Sequence, residues 1–160
     1  MEVAYVGLGA NLGDRAATLA AAIDQLDGIA GTHVLRRSAL YETAAVGFTA
    51  QPDFLNCVAE LQTELEPRPL LAELQAIEQR LGRVRSFRNA PRTCDLDLLL
   101  YGERVIDEPG LRVPHPRLRE RRFVLEPLAE LAPGIRLPDG TPVAGLLAAA
   151  CGQKVVRYDT

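Results

Sequence analysis

The sequence predicts one α+β domain over residues 1–160, in which a mostly antiparallel sheet carries helices on one face. The chain has 160 residues, 48% of them hydrophobic, so it can bury one substantial core. Strand-like and helix-like segments follow the order βαββαβ, with further helical segments after them. No internal repeat, low-complexity tract or long linker divides the chain. These three observations favour a single folded unit.

Apolar periodicity and turn-forming residues place the elements in order along the chain. Glycines end the first strand, and Asn11 or Asp14 caps the helix that follows it. Pro67 and Pro69 open the second helix, and Gly82 ends it. The predicted elements are strands over 2–9, about 33–42, 54–63 and about 95–101, and helices over about 14–27, 68–81, 120–131 and 143–150.

Loops and turns connect these elements. Residues 43–53 form a loop bounded by turn formers, and residues 83–92 form a basic loop without periodicity. Gly102 begins a tight turn, and Pro114 and Pro116 interrupt the chain before the last helices. The order matches a ferredoxin-like α+β sandwich with a C-terminal helical extension. We expect the sheet face without helices to stay open for ligands.

Composition and charge exclude several classes of protein. The formal net charge of −3 argues against a protein that binds nucleic acid by neutralising its phosphates. The chain contains no apolar run of about 18 residues and no signal-peptide pattern, so we expect no membrane association. Cys57, Cys94 and Cys151 are odd in number and far apart, which predicts reduced thiols and a cytoplasmic protein.

Positive charge is concentrated in one part of this acidic chain. Ten of the seventeen arginines lie between Arg83 and Arg122, against six acidic residues, which gives the segment a net charge of +4. Arginine binds phosphate through paired hydrogen bonds and keeps its charge. The segment therefore predicts phosphate binding, with Arg88 and Arg92 nearest the strand predicted over about 95–101. Arg83 and Arg85 could also be ordinary solvated loop charges.

Asp95 and Asp97 begin an apolar, strand-like run. Alternate residues of a strand lie about 6–7 Å apart on one face, so both carboxylates point the same way. Two unneutralised carboxylates are costly to bury, and Mg²⁺ prefers one or two carboxylates together with substrate phosphates. The pair therefore predicts a site for a metal–polyphosphate complex. The alternative is two solvent-facing acids on an edge strand, each bound to a nearby arginine.

Three further patterns point to a ligand site, and each has a structural alternative. Gly7–Gly13 has the spacing G-x-G-x-x-x-G, one residue off the dinucleotide-binding pattern, and we interpret it as a strand-to-helix turn. His115 lies between two prolines that fix its backbone, which suits either a ligand contact or a turn. Phe54 and Asn56 share a strand face, where a ring and an amide would bind a flat heterocycle. Phe54 alone would also suit core packing.

The block Pro91-Arg92-Thr93-x-Asp95-x-Asp97 is the most specific motif in the chain. Together with the other segments it resembles the 6-hydroxymethyl-7,8-dihydropterin pyrophosphokinase family of the folate pathway, over about residues 2–133. The other matching segments are Gly7–Asp14, Ser38–Thr43, Gln51–Asn56, Gly82–Arg85, Val113–Leu118 and Arg121–Leu128.

The resemblance implies a monomer that transfers pyrophosphate from ATP to the hydroxymethyl group of the pterin and releases AMP. It implies that Asp95 and Asp97 hold two Mg²⁺ ions, and we expect Arg83 and Arg92 to screen the triphosphate during transfer. The residues it assigns to ATP are Gln75, Glu78, Arg83, Arg85, Arg88, Arg92, His115 and Arg121. The residues it assigns to the pterin are Thr43, Ala44, Val46, Phe54, Asn56 and Phe123.

Three positions depart from the family pattern. Asn89-Ala90 stands where some members carry tryptophan, Phe54 where tyrosine also occurs, and Pro116 where some carry an aromatic residue. We expect the chemistry to survive these changes, with altered affinities. Two other functions fit the same residues: a metal-dependent nucleotidyl- or phosphotransferase with another acceptor, and a regulatory module that binds a small ligand without turnover.

Overall fold

The structure, a computed structural model, describes residues 1–11, 13–43, 53–82, 94–150 and 152–158. The helices are α1 (Arg15–Asp27), α2 (Pro67–Gly82), α3 (Arg122–Leu131) and α4 (Val143–Ala149), with a 3-10 helix at Leu118–Glu120. The strands are β1 (Glu2–Ala10), β2 (Thr32–Arg37), β3 (Leu40–Thr43), β4 (Phe54–Thr63), β5 (Asp95–Tyr101), β6 (Ile106–Glu108), β7 (Leu111–Val113) and β8 (Val155–Tyr158).

A six-stranded antiparallel sheet forms the centre of the described part of the chain. Its strands run in the order β5-β1-β4-β3-β8, and β2 also pairs with β4. The ten-residue β4 can serve both neighbours because its first half pairs with β3 and its second half with β2. The predicted order βαββαβ is present, and the ferredoxin-like α+β class is confirmed.

The first hydrophobic core lies between the sheet and helices α1 and α2. Alternate residues of β1 (Ala4, Val6 and Leu8) face it and are almost fully buried. Asp14 caps α1, since its side chain accepts a hydrogen bond from the Ala17 N–H at 3.1 Å. Pro67 lies at the start of α2, where its missing N–H costs nothing.

A second core covers part of the opposite face of the sheet. Leu125 and Leu128 of α3, with Val143 of α4, pack against Tyr5 and Val58. The expectation that this face would stay open is therefore wrong for the part of it that α3 and α4 cover. The C-terminal extension returns over the sheet because α3 presents a strongly apolar stripe that must be buried.

Several elements differ from the sequence prediction. The strand predicted over 33–42 is interrupted at Ser38 and Ala39, because the Ala39 N–H donates to the Glu130 carboxylate (3.0 Å) instead of to β4. The helix predicted over 120–131 is a 3-10 helix followed by α3, with extended backbone at Arg121 between them. Strand β8 was not predicted, since four residues after a helix carry little periodic signal.

Candidate active site

Three neighbouring strands, β4, β1 and β5, form the floor of the candidate site. Directly paired residues of antiparallel strands share a face of the sheet. One row across the floor is Asn56, Gly9 and Asp95. The next row contains Gly7 and Asp97. The two carboxylates predicted to lie together are therefore on one face, each beside a glycine.

The glycines leave space between the acidic strand and the amide of Asn56. A Cβ atom on Gly9 would lie 2.9 Å from the Asn56 Oδ1, closer than ordinary contacts allow. A Cβ atom on Gly7 would lie 3.4 Å from Leu99. Gly7 and Gly9 lie inside β1, as the strand predicted over 2–9 requires, so the turn assigned to Gly7–Gly13 begins only after Ala10. Their role is to keep the floor free of side chains.

A large cavity of about 760 Å³ stands over this floor. One wall comes from β3 and β4, one from the start of α3 and the 3-10 helix, and one from the C-terminal segment before β8. Its described lining residues are Gly7, Leu8, Gly9, Thr43, Phe54, Asn56, Cys57, Asp95, Asp97, Arg117, Glu120, Arg121, Phe123, Val124, Gln153, Lys154 and Val155. The volume is that of a small-molecule site.

Polar and aromatic side chains are fixed inside this cavity. The Asn56 Nδ2 donates to the Thr43 Oγ1 at 3.1 Å, which directs the Asn56 Oδ1 over Gly9. Asn56 is 6% exposed, so this amide is held in a largely dry environment. The guanidinium of Arg121 lies over the Phe123 ring, 5.4 Å from its centroid, which is a cation–π geometry. Phe54, Asn56 and Phe123, predicted as ligand residues, are thus brought together.

A smaller cavity of about 370 Å³ adjoins the acidic strand on its other side. Leu71, Leu96, Leu98, Gly110, Leu111, Arg112, His115, Pro116 and Asp97 line it. Most of this lining is apolar, with a cation and an imidazole at its edge. Asp97 lines both cavities, so the two spaces meet at one carboxylate.

His115 is held beside Asp97 by its own backbone and ring. Its N–H donates to the Leu99 carbonyl at 3.0 Å, and its Nδ1 accepts from the Arg117 N–H at 3.2 Å. The other ring nitrogen, Nε2, lies 3.9 Å from the Asp97 Oδ1. Burial lowers the pKa of His115, and this outweighs the opposing effect of Asp97. The lowered pKa favours the neutral imidazole, and because Nδ1 accepts a hydrogen bond, the ring proton is on Nε2, the nitrogen nearer Asp97.

Glu78 and Gln75 of α2 have different surroundings. The Glu78 carboxylate accepts from the Leu96 N–H at 2.8 Å, and so it ties α2 to the start of β5 between the two aspartates. Gln75 is exposed on α2. Neither is among the described residues that line the two cavities. Arg121, predicted on the ATP side, lines the larger cavity with Phe123.

The donor set at the floor suits a divalent cation that arrives with a phosphate ligand. Asp95 and Asp97 offer hard oxygen donors on one face, and the Asp97 side chain is 44% exposed to the cavities. Among the residues that the structure describes, no group of three or more His, Cys, Asp or Glu side chains could hold a metal ion. Two carboxylates with substrate oxygens fit Mg²⁺, which seldom occupies an all-protein cage.

Several predicted residues lie outside the described part of the chain, and their roles stay predictions. They are Ala44, Val46, Arg83, Arg85, Arg88 and Arg92. The structure also adds residues that sequence patterns did not single out, among them Arg117 and the segment Gln153–Val155. A signal for Gln153–Val155 could not be read locally, since these residues reach the cavity only because β8 pairs with β3.

Comparisons with known proteins identify strong relatives. The family model described as 7,8-dihydro-6-hydroxymethylpterin-pyrophosphokinase (HPPK) matches residues 5–133. The 2-amino-4-hydroxy-6-hydroxymethyldihydropteridine pyrophosphokinase of Pseudomonas aeruginosa is 49% identical over 153 residues, covering 96% of this chain and 94% of the relative. That of Bacillus subtilis is 47% identical over 130 residues, covering 81% of this chain and 78% of the relative.

Longer proteins contain a similar region. The folic acid synthesis protein fol1 of Pneumocystis carinii is 42% identical over 158 residues, which are 99% of this chain but 21% of that protein. The crystal structure of wild-type HPPK-DHPS from Plasmodium falciparum superimposes with a TM-score of 0.74 at 13% identity. It matches 92% of this chain, which spans 44% of that one. At this identity the likeness supports the fold alone.

Proposed function

Because this chain belongs to the 7,8-dihydro-6-hydroxymethylpterin pyrophosphokinase family, we propose that its two adjoining cavities are the two substrate sites of one transfer. The chain is an enzyme of folate biosynthesis that transfers pyrophosphate from ATP to 6-hydroxymethyl-7,8-dihydropterin. The fragment of ATP that remains is AMP. The observation that carries the proposal is that Asp97 lines both cavities.

We assign the larger cavity to the pterin. A pterin is a flat heterocycle with hydrogen-bonding edges, and Phe54 and Phe123 offer rings against its faces. Asn56 already uses its Nδ2 on Thr43, which leaves its Oδ1 to accept a hydrogen bond from the amino edge of the ring. Gly9 allows that edge to approach the backbone of β1.

We assign the smaller cavity to ATP. Leu71, Leu98 and Leu111 provide apolar contact for an adenine ring, and Arg112 and His115 are near its edge. The triphosphate would then run toward Asp97 and the larger cavity. Arg83, Arg85, Arg88 and Arg92 are proposed to neutralise it, from a segment outside the described residues.

Asp95 and Asp97 would hold the Mg²⁺ ions, which the family resemblance puts at two. When bound, the ions neutralise phosphate charge and lower the pKa of the substrate hydroxyl. Asp97 would hold a metal ion where the two cavities meet. Gly7 and Gly9 carry no side chains, so the floor of the larger cavity stays open to the pterin. Glu78 supports this geometry because it anchors the β5 backbone between the two aspartates.

The transfer joins the pterin hydroxymethyl oxygen to the β-phosphorus of ATP. The bond between that phosphorus and the oxygen bridging to the α-phosphate breaks, AMP carries away the electron pair, and the hydroxyl proton passes to solvent. Such a reaction requires positioning and charge stabilisation more than an acid or base side chain. His115 places its Nε2 3.9 Å from the Asp97 Oδ1, which is too far for a direct hydrogen bond, so it is a polar neighbour of that carboxylate.

The remaining assignments concern the whole chain. We propose that it acts as a single domain and as a monomer, which light scattering would test. A cytoplasmic location is supported by the described cysteines, Cys57 and Cys94, which are buried and free. Among the described residues, no helix has the length and apolar character required to cross a membrane.

The decisive experiment is a product assay with ATP, Mg²⁺ and 6-hydroxymethyl-7,8-dihydropterin. We expect equimolar AMP and pterin diphosphate, and no AMP when the pterin is left out. Release of ADP would indicate a simple kinase, and release of pyrophosphate a nucleotidyltransferase. Pterin binding without any nucleotide cleavage would indicate a regulatory module. Each of these three results would contradict the proposal.

A further inference from the structure

Gln153 connects the C-terminal segment to the junction between the 3-10 helix and α3. Its side-chain Oε1 accepts a hydrogen bond from the Arg122 N–H at 2.9 Å, and its Nε2 donates to the Glu120 carbonyl at 2.6 Å. The Arg122 guanidinium also donates to the Gln153 carbonyl at 3.3 Å. Three hydrogen bonds therefore join residue 153 to the two residues on either side of Arg121.

This junction needs partners from outside. The first N–H groups of a helix have no acceptor within the helix. Arg121 occupies the N-cap position of α3 but makes no side-chain capping bond. Arginine has no acceptor atom, so it cannot do what a serine or aspartate does at this position. Gln153 supplies the missing acceptor from a point 31 residues along the chain.

The junction carries two residues of the larger cavity. Arg121 has extended backbone between the two helices, and Phe123 is the second residue of α3. Their side chains stack on each other and line the cavity. A shift of the junction would therefore move both the cation and the ring.

The same segment is anchored at a second point. Val155 begins β8 and pairs with Thr43 of β3, on the opposite wall of the cavity. Gln153, Lys154 and Val155 all line the cavity between these two anchors. The segment thus spans the gap from the Thr43 wall to the Phe123 wall, and it sets the distance between them.

We propose that Gln153 is a positioning residue for the pterin site, which places Arg121 and Phe123 at the correct distance from Phe54 and Asn56. The inference rests on the proposed assignment of the larger cavity to the pterin. Gln153 acts through the junction, so its loss should weaken binding of one substrate selectively.

The test compares the binding of both ligands by calorimetry in wild-type protein, Gln153→Ala and Gln153→Glu. The probes are 6-hydroxymethyl-7,8-dihydropterin and an ATP analogue with a methylene group between the α- and β-phosphates, with Mg²⁺ present. Two lost hydrogen bonds should raise the pterin Kd about three- to tenfold in Gln153→Ala. The Kd of the ATP analogue should rise less than the pterin Kd, since the smaller cavity does not contain the junction and, of the junction residues, only Arg121 is assigned to ATP.

Gln153→Glu keeps the size of the side chain and the acceptor for the Arg122 N–H but loses the donor to Glu120. We expect an intermediate rise in the pterin Kd, and this variant carries the test if Gln153→Ala does not fold. Gln79→Ala is the matched control, because Gln79 is an exposed glutamine of α2 outside both described cavity linings. Amide hydrogen exchange should become faster at residues 122–124 in Gln153→Ala, which removes the acceptor for the Arg122 N–H, and should change less in Gln153→Glu and not at all in the control.

Two results would overturn the inference: a pterin Kd within about twofold of wild type in the folded Gln153 variants, or an equal loss of affinity for both ligands. The second result would indicate a general structural role. Wild-type protein that binds no pterin would contradict the proposed function and this inference together. If wild-type protein binds the pterin and the Gln153 variants bind it with the same Kd, this inference alone would be contradicted.

Discussion

Asp97 is the side chain at which the two cavities meet, and its charge should matter more than its shape. Asp97→Asn keeps the volume and removes the anion that would hold Mg²⁺ at the boundary. We expect kcat for AMP release to fall by roughly 10³-fold or more at millimolar Mg²⁺. The matched control is Asp139→Asn, in an exposed pair with Arg119 outside both cavity linings, which should leave kcat unchanged. A near-normal kcat for Asp97→Asn at millimolar Mg²⁺ would refute the assignment of Asp97 as an Mg²⁺ ligand.

The absence of a side chain at Gly9 leaves room for the Asn56 amide. The Cβ atom of Gly9→Ala would lie 2.9 Å from the Asn56 Oδ1, so the amide must rotate away from the position that faces the pterin edge. We expect the KM for the pterin to rise about tenfold, as for the loss of a buried hydrogen bond, with little change in the KM for ATP.

Gly134→Ala is the control for Gly9→Ala, since a Cβ atom there would meet nothing within 4 Å. Gly7→Ala should have a smaller effect, because its Cβ atom would lie 3.4 Å from flexible Leu99 methyl groups. An unchanged pterin KM in Gly9→Ala would mean that Asn56 does not read the pterin edge.

At the scale of elements, Arg15 joins the two strands that flank residues 44–52. From the start of α1, its guanidinium binds the Glu42 carboxylate at 2.9 Å and the Asp53 carbonyl at 2.7 Å. It also lies over the Tyr158 ring, 5.5 Å from the centroid. One side chain therefore links α1 with the end of β3, the start of β4 and the end of β8.

Arg15→Ala should affect both stability and pterin binding. We expect a loss of about 0.5–1.5 kcal/mol in the free energy of unfolding, because the group is only partly exposed. The pterin KM should rise several-fold, since Thr43 and Phe54 directly follow the anchored positions. Arg104→Ala is the control: Arg104 also pairs with a carboxylate and stacks on a tyrosine, but away from the cavities. Equal effects of both substitutions on the pterin KM would contradict a local role for Arg15.

Elements with strong periodicity could be predicted from sequence, and those that depend on distant partners could not. Strand β4 and helix α2 were predicted to within one residue, since each carries a long apolar pattern. The interruption at Ser38–Ala39 depends on Glu130, which is 91 residues away from Ala39. Strand β8 and the N-terminus of α3 depend on residues that only the fold brings together.

Part of the candidate site could also be predicted from the sequence, and part of it could not. Strand alternation predicts that Asp95 and Asp97 share one face of the sheet. The same rule predicts that Phe54 and Asn56 share one face. The alternation fails farther along β5, where a register shift leaves Leu99 and Leu100 both facing the second core. The function of Gly7 and Gly9 could not be read locally, because the missing side chains matter only beside Asn56 and the aspartates.

At the scale of the whole molecule, one face of the sheet is divided into three bands. The candidate site lies at the Gly9 end of β1, the second core covers the middle, and a polar row crosses the other end. That row is Tyr5, Glu60 and Arg36, which are direct neighbours on β1, β4 and β2. None of these three residues is among the described residues that line the two cavities, so the row should contribute to stability without affecting catalysis.

The last prediction concerns the pH dependence of stability. The Glu60 carboxylate is 8% exposed and accepts hydrogen bonds from the Arg36 guanidinium at 3.0 Å and the Tyr5 hydroxyl at 2.5 Å. Arg36, more than Tyr5, lowers the pKa of Glu60 in the folded state below the ordinary glutamate value of 4.5. The unfolded chain therefore takes up this proton first, and the stabilisation present above pH 4.5 is lost as the pH falls through the folded pKa.

Glu60→Gln should lower the free energy of unfolding by about 1–3 kcal/mol at pH 7, and the difference from wild type should shrink below pH 4.5. Urea unfolding from pH 7 to pH 3 measures it, and pterin-dependent AMP release at pH 7 should be unchanged. The control is Glu108→Gln, since its pair with Arg68 is about half exposed and should contribute little at any pH. A difference that stays constant down to pH 3 would show that the Glu60 charge does not stabilise this end of the sheet.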